Sequence, residues 1–251
     1  MAGHSKWANI KHRKAAQDKK RGKQFAKLIR AIESSAREAG SSDPAGSPSL
    51  ALAVQKARDA DVPKDNIERA CRRGAGEDDG GARYEAATYE GYAPGGVAVL
   101  VDVLTDNRNR TASDVRSLFT RAGGSLAEPG AVSFLFSRRG QVVLDGTPDE
   151  DDVLAAGLDA GLEDVEPGDG TTVAWCEPSA VAGLRAALEA AGLAVLGAET
   201  TMVPTVSVRI EDATEAGRVL RLLDALEDND DVQEVYANLD VDDGVLADVE
   251  L

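Results

Sequence analysis

Residues 84–111 read YEAATYEGYAPGGVAVLVDVLTDNRNRT, and the order of their signals predicts a strand, a tight turn, a second strand and the start of a helix. Tyr84 to Tyr92 alternates like a half-buried strand, Ala93-Pro-Gly-Gly96 is turn chemistry, and Val97 to Leu104 is the apolar run of a buried strand. A hairpin is the simplest pairing. Thr111 and Asp114 then stand at capping spacing before a helix whose Val115, Leu118 and Phe119 share a face and which Gly123-Gly124 stops.

A ββα run exposes an apolar face and needs a second half to cover it. That half comes near the C-terminus. Val206 to Ile210 reads as a strand, Asp212 with Glu215 caps a helix bearing Val219, Leu220, Leu223 and Leu226, and a last strand covers about Val232 to Asn238. Between the halves, residues 131–200 hold a series of their own. Strands fall near 132–137 and 141–145, a helix near 150–160, strands near 163–166 and 171–176, a helix near 179–191, then a final strand. This is one α/β unit inserted into another, both of the split βαβ type.

Upstream the text is helical. From about Ala16, Phe25, Leu28, Ile29, Ile32 and Ala36 recur at helical spacing up to a stop at Gly40. A Gly/Ser/Pro loop over 40–48 precedes a second helix from about Ser49, with Leu50, Val54 and Ala57 on one face. Pro63 opens a third, with Ile67, Ala70 and Cys71 facing inward and Gly74 ending it. The expected class is therefore α+β, an N-terminal three-helix domain followed by two ferredoxin-like α/β domains, one inserted in the other. The expected limits are 1–75, 82–128 plus 203–251, and 129–202, with a glycine-rich linker over 74–81.

Charge divides the chain more sharply than hydrophobicity does. The formal net charge is −16, yet residues 1–75 carry 17 basic and 8 acidic side chains, a net of +9, while the other 176 residues carry a net of −25. Such asymmetry points the basic end towards a polyanion and lets the acidic body discourage nonspecific spreading. Lys6, Lys11, Arg13, Lys14, Lys19, Lys20, Arg21, Lys23, Lys27 and Arg30 face a single acid, Asp18, between residues 4 and 30, with Trp7 and His12 among them. Within the helix, Lys19, Lys20, Lys23, Lys27, Arg30 and Arg37 lie on the arc opposite the apolar stripe.

A row of ammonium groups tracks phosphates but does not read base edges, so salt-sensitive binding with little sequence readout is expected. Trp7 either stacks on an exposed base, which favours RNA, or pins the arm to the helical domain. Residues 1–15, poor in apolar side chains, are expected to order on binding. Arg108 and Arg110, in the loop joining a buried strand to a helix start, either add a second phosphate contact or decorate an Asx-type turn.

Other chemistry is not signalled. Cys71 and Cys176 are far apart without a CxxC, which fits a reducing cytoplasm, and Cys71 reads as a small core residue. The sequence shows no triad, no metal-ligand spacing and no phosphate loop, so neither an enzyme nor a cofactor is expected. No signal peptide or run of about 18 apolar residues is present, so no membrane partner is expected. The acids Asp224, Glu227, Asp228, Asp230, Asp231, Asp240, Asp242 and Asp243 lack the spacing of a calcium loop and read as a repulsive surface.

Several long blocks carry a family resemblance. GHSKWANIKHRKAAQDKKRGK at the start, VPKDNIERA at 62–70, EGYAPGGVAVLVDVLTDNRNRT at 90–111, SFLFSRRG at 133–140 and DVQEVYANLD at 231–240 closely resemble the YebC/PmpR family, whose mitochondrial relatives are translational activators of cytochrome c oxidase. The resemblance runs over nearly the whole chain. It implies a three-domain cytosolic protein that regulates gene expression by binding nucleic acid and is not an enzyme. The nucleic acid is either promoter DNA, for a transcriptional regulator, or ribosomal RNA or tRNA, for a ribosome-associated factor that relieves stalling at proline-rich stretches. The long loop at 40–48 and the acidity of the body depart from the family pattern without touching the basic blocks.

Overall fold

The computed structural model describes residues 18–79, 83–168, 170–247 and 249, residues 18–21 and 243 as backbone only. In chain order the elements are helix α1 (Asp18–Ala39), α2 (Pro48–Asp59), α3 (Lys64–Ala75), strands β1 (Glu85–Tyr92) and β2 (Ala98–Thr105), helix α4 (Arg108–Ala122), strands β3 (Ser125–Leu126) and β4 (Phe136–Asp145), helix α5 (Glu150–Gly157), strands β5 (Leu162–Pro167) and β6 (Thr171–Cys176), helix α6 (Val181–Ala190), strands β7 (Val195–Pro204) and β8 (Val208–Ile210), helix α7 (Ala213–Glu227), and strands β9 (Val232–Ala237) and β10 (Leu239–Val241). The class is α+β, as expected, with two four-stranded sheets and one two-stranded parallel pair among the described residues. The described residues of 1–31, 80–137 and 203–251 form one compact unit, and those of 32–79 and 138–202 a second.

In the first unit, β1 and β2 form the expected hairpin, pairing from Glu85 with Thr105 to Tyr92 with Ala98. The sheet order is β3-β1-β2-β9. One face is packed by α4 and α7: Val99, Val101 and Val103 alternate into a core with Val115, Phe119, Val219, Leu223, Leu226 and Val235, all buried. Asp212 caps α7 as expected, its Oδ1 accepting the Glu215 N–H at 2.7 Å.

Two expectations change here. Residues 208–210 do not extend the main sheet but pair in parallel with β10. The cause is Asn238, almost wholly buried at the end of β9. Its side-chain Oδ1 accepts the Ala98 N–H at 2.7 Å, its Nδ2 donates to the Val206 carbonyl at 3.0 Å, and its own carbonyl accepts the Val208 N–H at 2.7 Å. The amide thus closes the β2–β9 pairing at Ala98 and ties residues 206–208 to the chain that leads into β10. Helix α4, in turn, begins three residues before Thr111, because Asn107 caps it through Oδ1 to the Arg110 N–H at 3.1 Å. Arg108 and Arg110 therefore sit in a first helical turn and not in a loop.

In the second unit, Ile32 and Ala36 from the end of α1 are buried, as are Leu50, Val54 and Ala57 of α2 and Ile67, Ala70 and Cys71 of α3. Gly74 lies inside α3 instead of ending it. A Cβ there would overlap the Ala36 side chain at 2.7 Å and the Glu33 backbone, so the glycine permits close helix approach, and Gly76, at φ 80°, makes the C-terminal stop. The sheet order is β5-β6-β4-β7, with a core of Val142, Leu144, Leu162, Ala174 and Cys176 against Val153, Val181, Leu184 and Leu188 from α5 and α6. Residues 136–145 form one continuous strand where the sequence suggests two. Gly140 reads locally as a break, yet a Cβ on it would lie 2.7 Å from Cys176 Sγ and 2.9 Å from the Glu177 carbonyl, so the position serves a close contact within a strand. No helix among the described residues is long and apolar enough to cross a membrane.

Candidate nucleic-acid interface

The expected binding residues fall into three groups. Lys6, Trp7, Lys11, His12, Arg13 and Lys14 lie outside the described residues. Lys19, Lys20 and Arg21 belong to the first turn of α1 as backbone. Lys23, Lys27, Arg30, Arg108 and Arg110 are described in full, and the first three share one face at i, i+4 and i+7.

That face meets the C-terminus of α7 in the same unit. Lys23 Nζ donates to the Asp228 carbonyl at 3.0 Å, Lys27 Nζ to the Glu227 carbonyl, and Arg30 Nη1 to the Asp230 carbonyl. The last carbonyls of a helix lack intrahelical donors and carry the negative end of its dipole, so cations settle there, each stabilising by about 0.3–1 kcal/mol. The run Glu227 to Asp231, expected to be a repulsive surface, is a docking point for the basic helix. Arg30 also places its guanidinium 5.6 Å from the centre of the Tyr84 ring, a cation–π distance.

Arg30 and Arg110, distant in sequence, converge on Asp231. Arg110 Nη2 lies 2.7 Å from Asp231 Oδ2 and 2.8 Å from Asp106 Oδ1, while Arg30 Nη1 lies 3.4 Å from Asp231 Oδ1. The Thr111 hydroxyl is 2.7 Å from Asp231 Oδ2 and 2.7 Å from Thr105 Oγ1, and both threonines are fully buried. Thr105 Oγ1 accepts the Asn107 N–H at 2.9 Å. The Asp231 main chain is held as well, accepting from the Leu104 N–H at 2.8 Å and donating to Asn229 Oδ1 at 2.9 Å.

Burial works against the charge on Asp231, but hydrogen bonds from Arg110 and Thr111 outweigh it and hold the carboxyl below its ordinary range. Hydrogen bonds to Asp231 and Asp106 push the Arg110 guanidinium up. Asp231 is 7% exposed as a residue, whereas the Arg110 side chain is 48% exposed, so the guanidinium is gripped on one side and open on the other. Arg108 is exposed in the same helical turn, two residues before Arg110, and its backbone carbonyl accepts the Tyr89 hydroxyl at 3.2 Å.

Asp231, Thr105, Thr111 and Tyr84 were not legible as parts of this site. The one local trace is that two threonines flank the run Asp106 to Arg110, a pattern whose meaning depends on an aspartate 120 residues further on. Both cysteines are buried, and burial pushes the Cys176 thiol up to about 11. Among the described residues no group of three or more His, Cys, Asp or Glu side chains is placed to hold a metal ion.

Comparison with known proteins gives the same family for both parts of the chain. Residues 5–77 match the profile of the TACO1/YebC protein N-terminal domain, and residues 84–239 that of the TACO1/YebC second and third domain. A protein of Beutenbergia cavernae is 57% identical over 98% of both chains, one of Thermobifida fusca 55% over 98% of this chain and 99% of its own, and one of Mycobacterium tuberculosis 54% over 98% of both. Each of these is named a probable transcriptional regulatory protein, a regulator's name and not an enzyme's. The crystal structure of a conserved hypothetical protein from Aquifex aeolicus superposes with a TM-score of 0.81 at 42% identity, covering 90% of this chain and 93% of that one. On two profiles that together span most of its length and on relatives of this similarity, the chain belongs to the TACO1/YebC family.

Proposed function

We propose that this protein is a non-enzymatic regulator of gene expression that grips the phosphate backbone of RNA and acts on the ribosome, relieving stalling at proline-rich stretches. The observation that carries this reading is the convergence of Arg30 and Arg110 at one place in one unit, with Arg108 exposed in the same helical turn as Arg110. Guanidinium groups at fixed positions suit phosphates, and the sequence preceding α1 is itself strongly basic. Reading of DNA bases calls for a helix whose side chains enter the major groove. Lys23, Lys27 and Arg30 of α1 instead engage the C-terminus of α7, which supports contact with backbone and shape over readout of bases.

A second reading, a DNA-binding transcriptional regulator, is favoured by the names of the relatives. Sucrose-gradient fractionation beside chromatin crosslinking of the tagged protein separates the two. Co-migration with ribosomal particles that is lost on deleting residues 1–30, with lower yield of a proline-rich reporter in the deletion strain, is the expected result. Sharp promoter peaks without ribosome association would overturn it in favour of DNA.

A further inference from the structure

The proposed interface contains a carboxylate that electrostatics alone would keep out of it. Asp231 repels a polyanion, yet it is buried where Arg30 and Arg110 meet, with the Thr111 hydroxyl on the same oxygen as Arg110 and both of its backbone polar groups hydrogen-bonded. Asp106 also touches Arg110, but its side chain is 55% exposed. The two acids carry the same charge and differ in what holds them: one is fixed by four segments of the fold and the other by its own turn.

We propose that Asp231 is a positioning residue of the nucleic-acid interface, fixing the guanidinium of Arg110, whose side chain is 48% exposed, so that it meets backbone phosphates already oriented, with Arg30 bracing the same carboxylate. An arginine fork that is held before binding loses less freedom on engaging a phosphate than one that must be ordered by it. Asp106 bonds the same nitrogen of Arg110 from an exposed position in the turn before α4, so its charge weighs more on an approaching phosphate than its hold on Arg110 does. The inference rests on the nucleic-acid reading given above.

The two roles predict opposite signs for the same chemical change. Binding of a fluorescein-labelled RNA hairpin, followed by anisotropy over a salt titration, should become about twofold tighter in Asp106→Asn, because a repulsive charge is removed. In Asp231→Asn it should become roughly tenfold weaker, with the slope of log affinity against log salt flattening by about one, as one phosphate contact is lost. Tightening in Asp231→Asn, or no change, overturns the positioning role.

The double variant Arg30→Ala/Arg110→Ala tests the interface itself. Unchanged binding there overturns the nucleic-acid reading and the inference with it, whereas weakened binding there together with tightening in Asp231→Asn overturns the inference alone. Circular dichroism checks that each variant is folded. Should Asp231→Asn not fold, Thr111→Val takes its place, since it removes the hydroxyl that orients Asp231 without altering charge. It should bind several-fold more weakly than Thr111→Ser, and equal affinities overturn the proposal.

Discussion

Two Arg–Asp pairs in this protein have similar distances and different exposures. Arg185 of α6 donates through Nη1 and Nη2 to the two oxygens of Asp59 of α2, at 2.5 and 2.9 Å, and both side chains are only 15% exposed. Its Nε reaches Glu189, so most of its donors are satisfied within the second unit. At Asp231 the carboxylate is the buried partner and Arg110 stays half exposed. The first pair closes on itself and holds two elements together. The second buries its acid and presents its base. Partner identity does not distinguish a structural ion pair from a binding one; the difference lies in which member keeps access to solvent.

The closed pair should show the largest effect on stability. Asp59→Ala leaves Arg185 half-satisfied in a nearly dry place and should destabilise the protein by about 3 kcal/mol, read as a lower denaturation midpoint, while RNA affinity of the folded protein stays unchanged. A large loss of affinity with little loss of stability would mean that the closed pair also serves binding.

A second test uses a carboxylate that is buried without any arginine. Glu90 accepts backbone N–H groups from Gly130 at 2.7 Å, Val132 at 2.7 Å and Ser133 at 2.9 Å. Burial acts against its charge, but these hydrogen bonds prevail and hold its carboxyl below the ordinary range. A depressed folded value means that the stabilisation is fully present above the unfolded value, about 4.3, and fades as pH falls through the folded value. Glu90→Gln should therefore cost about 2 kcal/mol at neutral pH, and the gap to the wild type should narrow in denaturant melts below about pH 4.

Arg110→Lys sharpens the open pair. A lysine keeps the charge and can still meet both acids, but it lacks the planar guanidinium whose other N–H donors suit a phosphate, so stability should change little while RNA affinity falls several-fold. The smallest effect is expected from Lys23→Ala. This exposed cation on the α7 terminus should contribute no more than about 0.5 kcal/mol, and the difference should vanish in high salt.

Much of the fold was legible in the sequence because its signals are local. The β1–β2 hairpin, the Asp212 cap and the core faces of α1 and α2 each follow from residues within one or two turns of one another. The departures arise where a distant group decides. Gly74 and Gly140 look like breaks until the neighbour that leaves them no room is in place. Residues 206–210 read as a strand of the main sheet until Asn238 and β10, distant in sequence, supply their partners. The candidate interface was legible as charge but not as a site, since Arg30, Arg110 and Asp231 meet only after the first unit has closed, and an acidic run beside a helix end looks repulsive until a basic helix docks on it.

One clamp has a consequence for rearranging the gene. In the first unit Thr205 donates from both its backbone N–H and its hydroxyl to the Leu135 carbonyl, at 2.8 and 3.0 Å. The chain leaving towards residues 138–202 and the chain returning from them are thus fastened side by side. Everything between Leu135 and Thr205 is topologically a cassette. A short turn joining these two residues should leave the β3-β1-β2-β9 sheet intact, and a foreign domain whose ends lie close together should be accepted at the same seam.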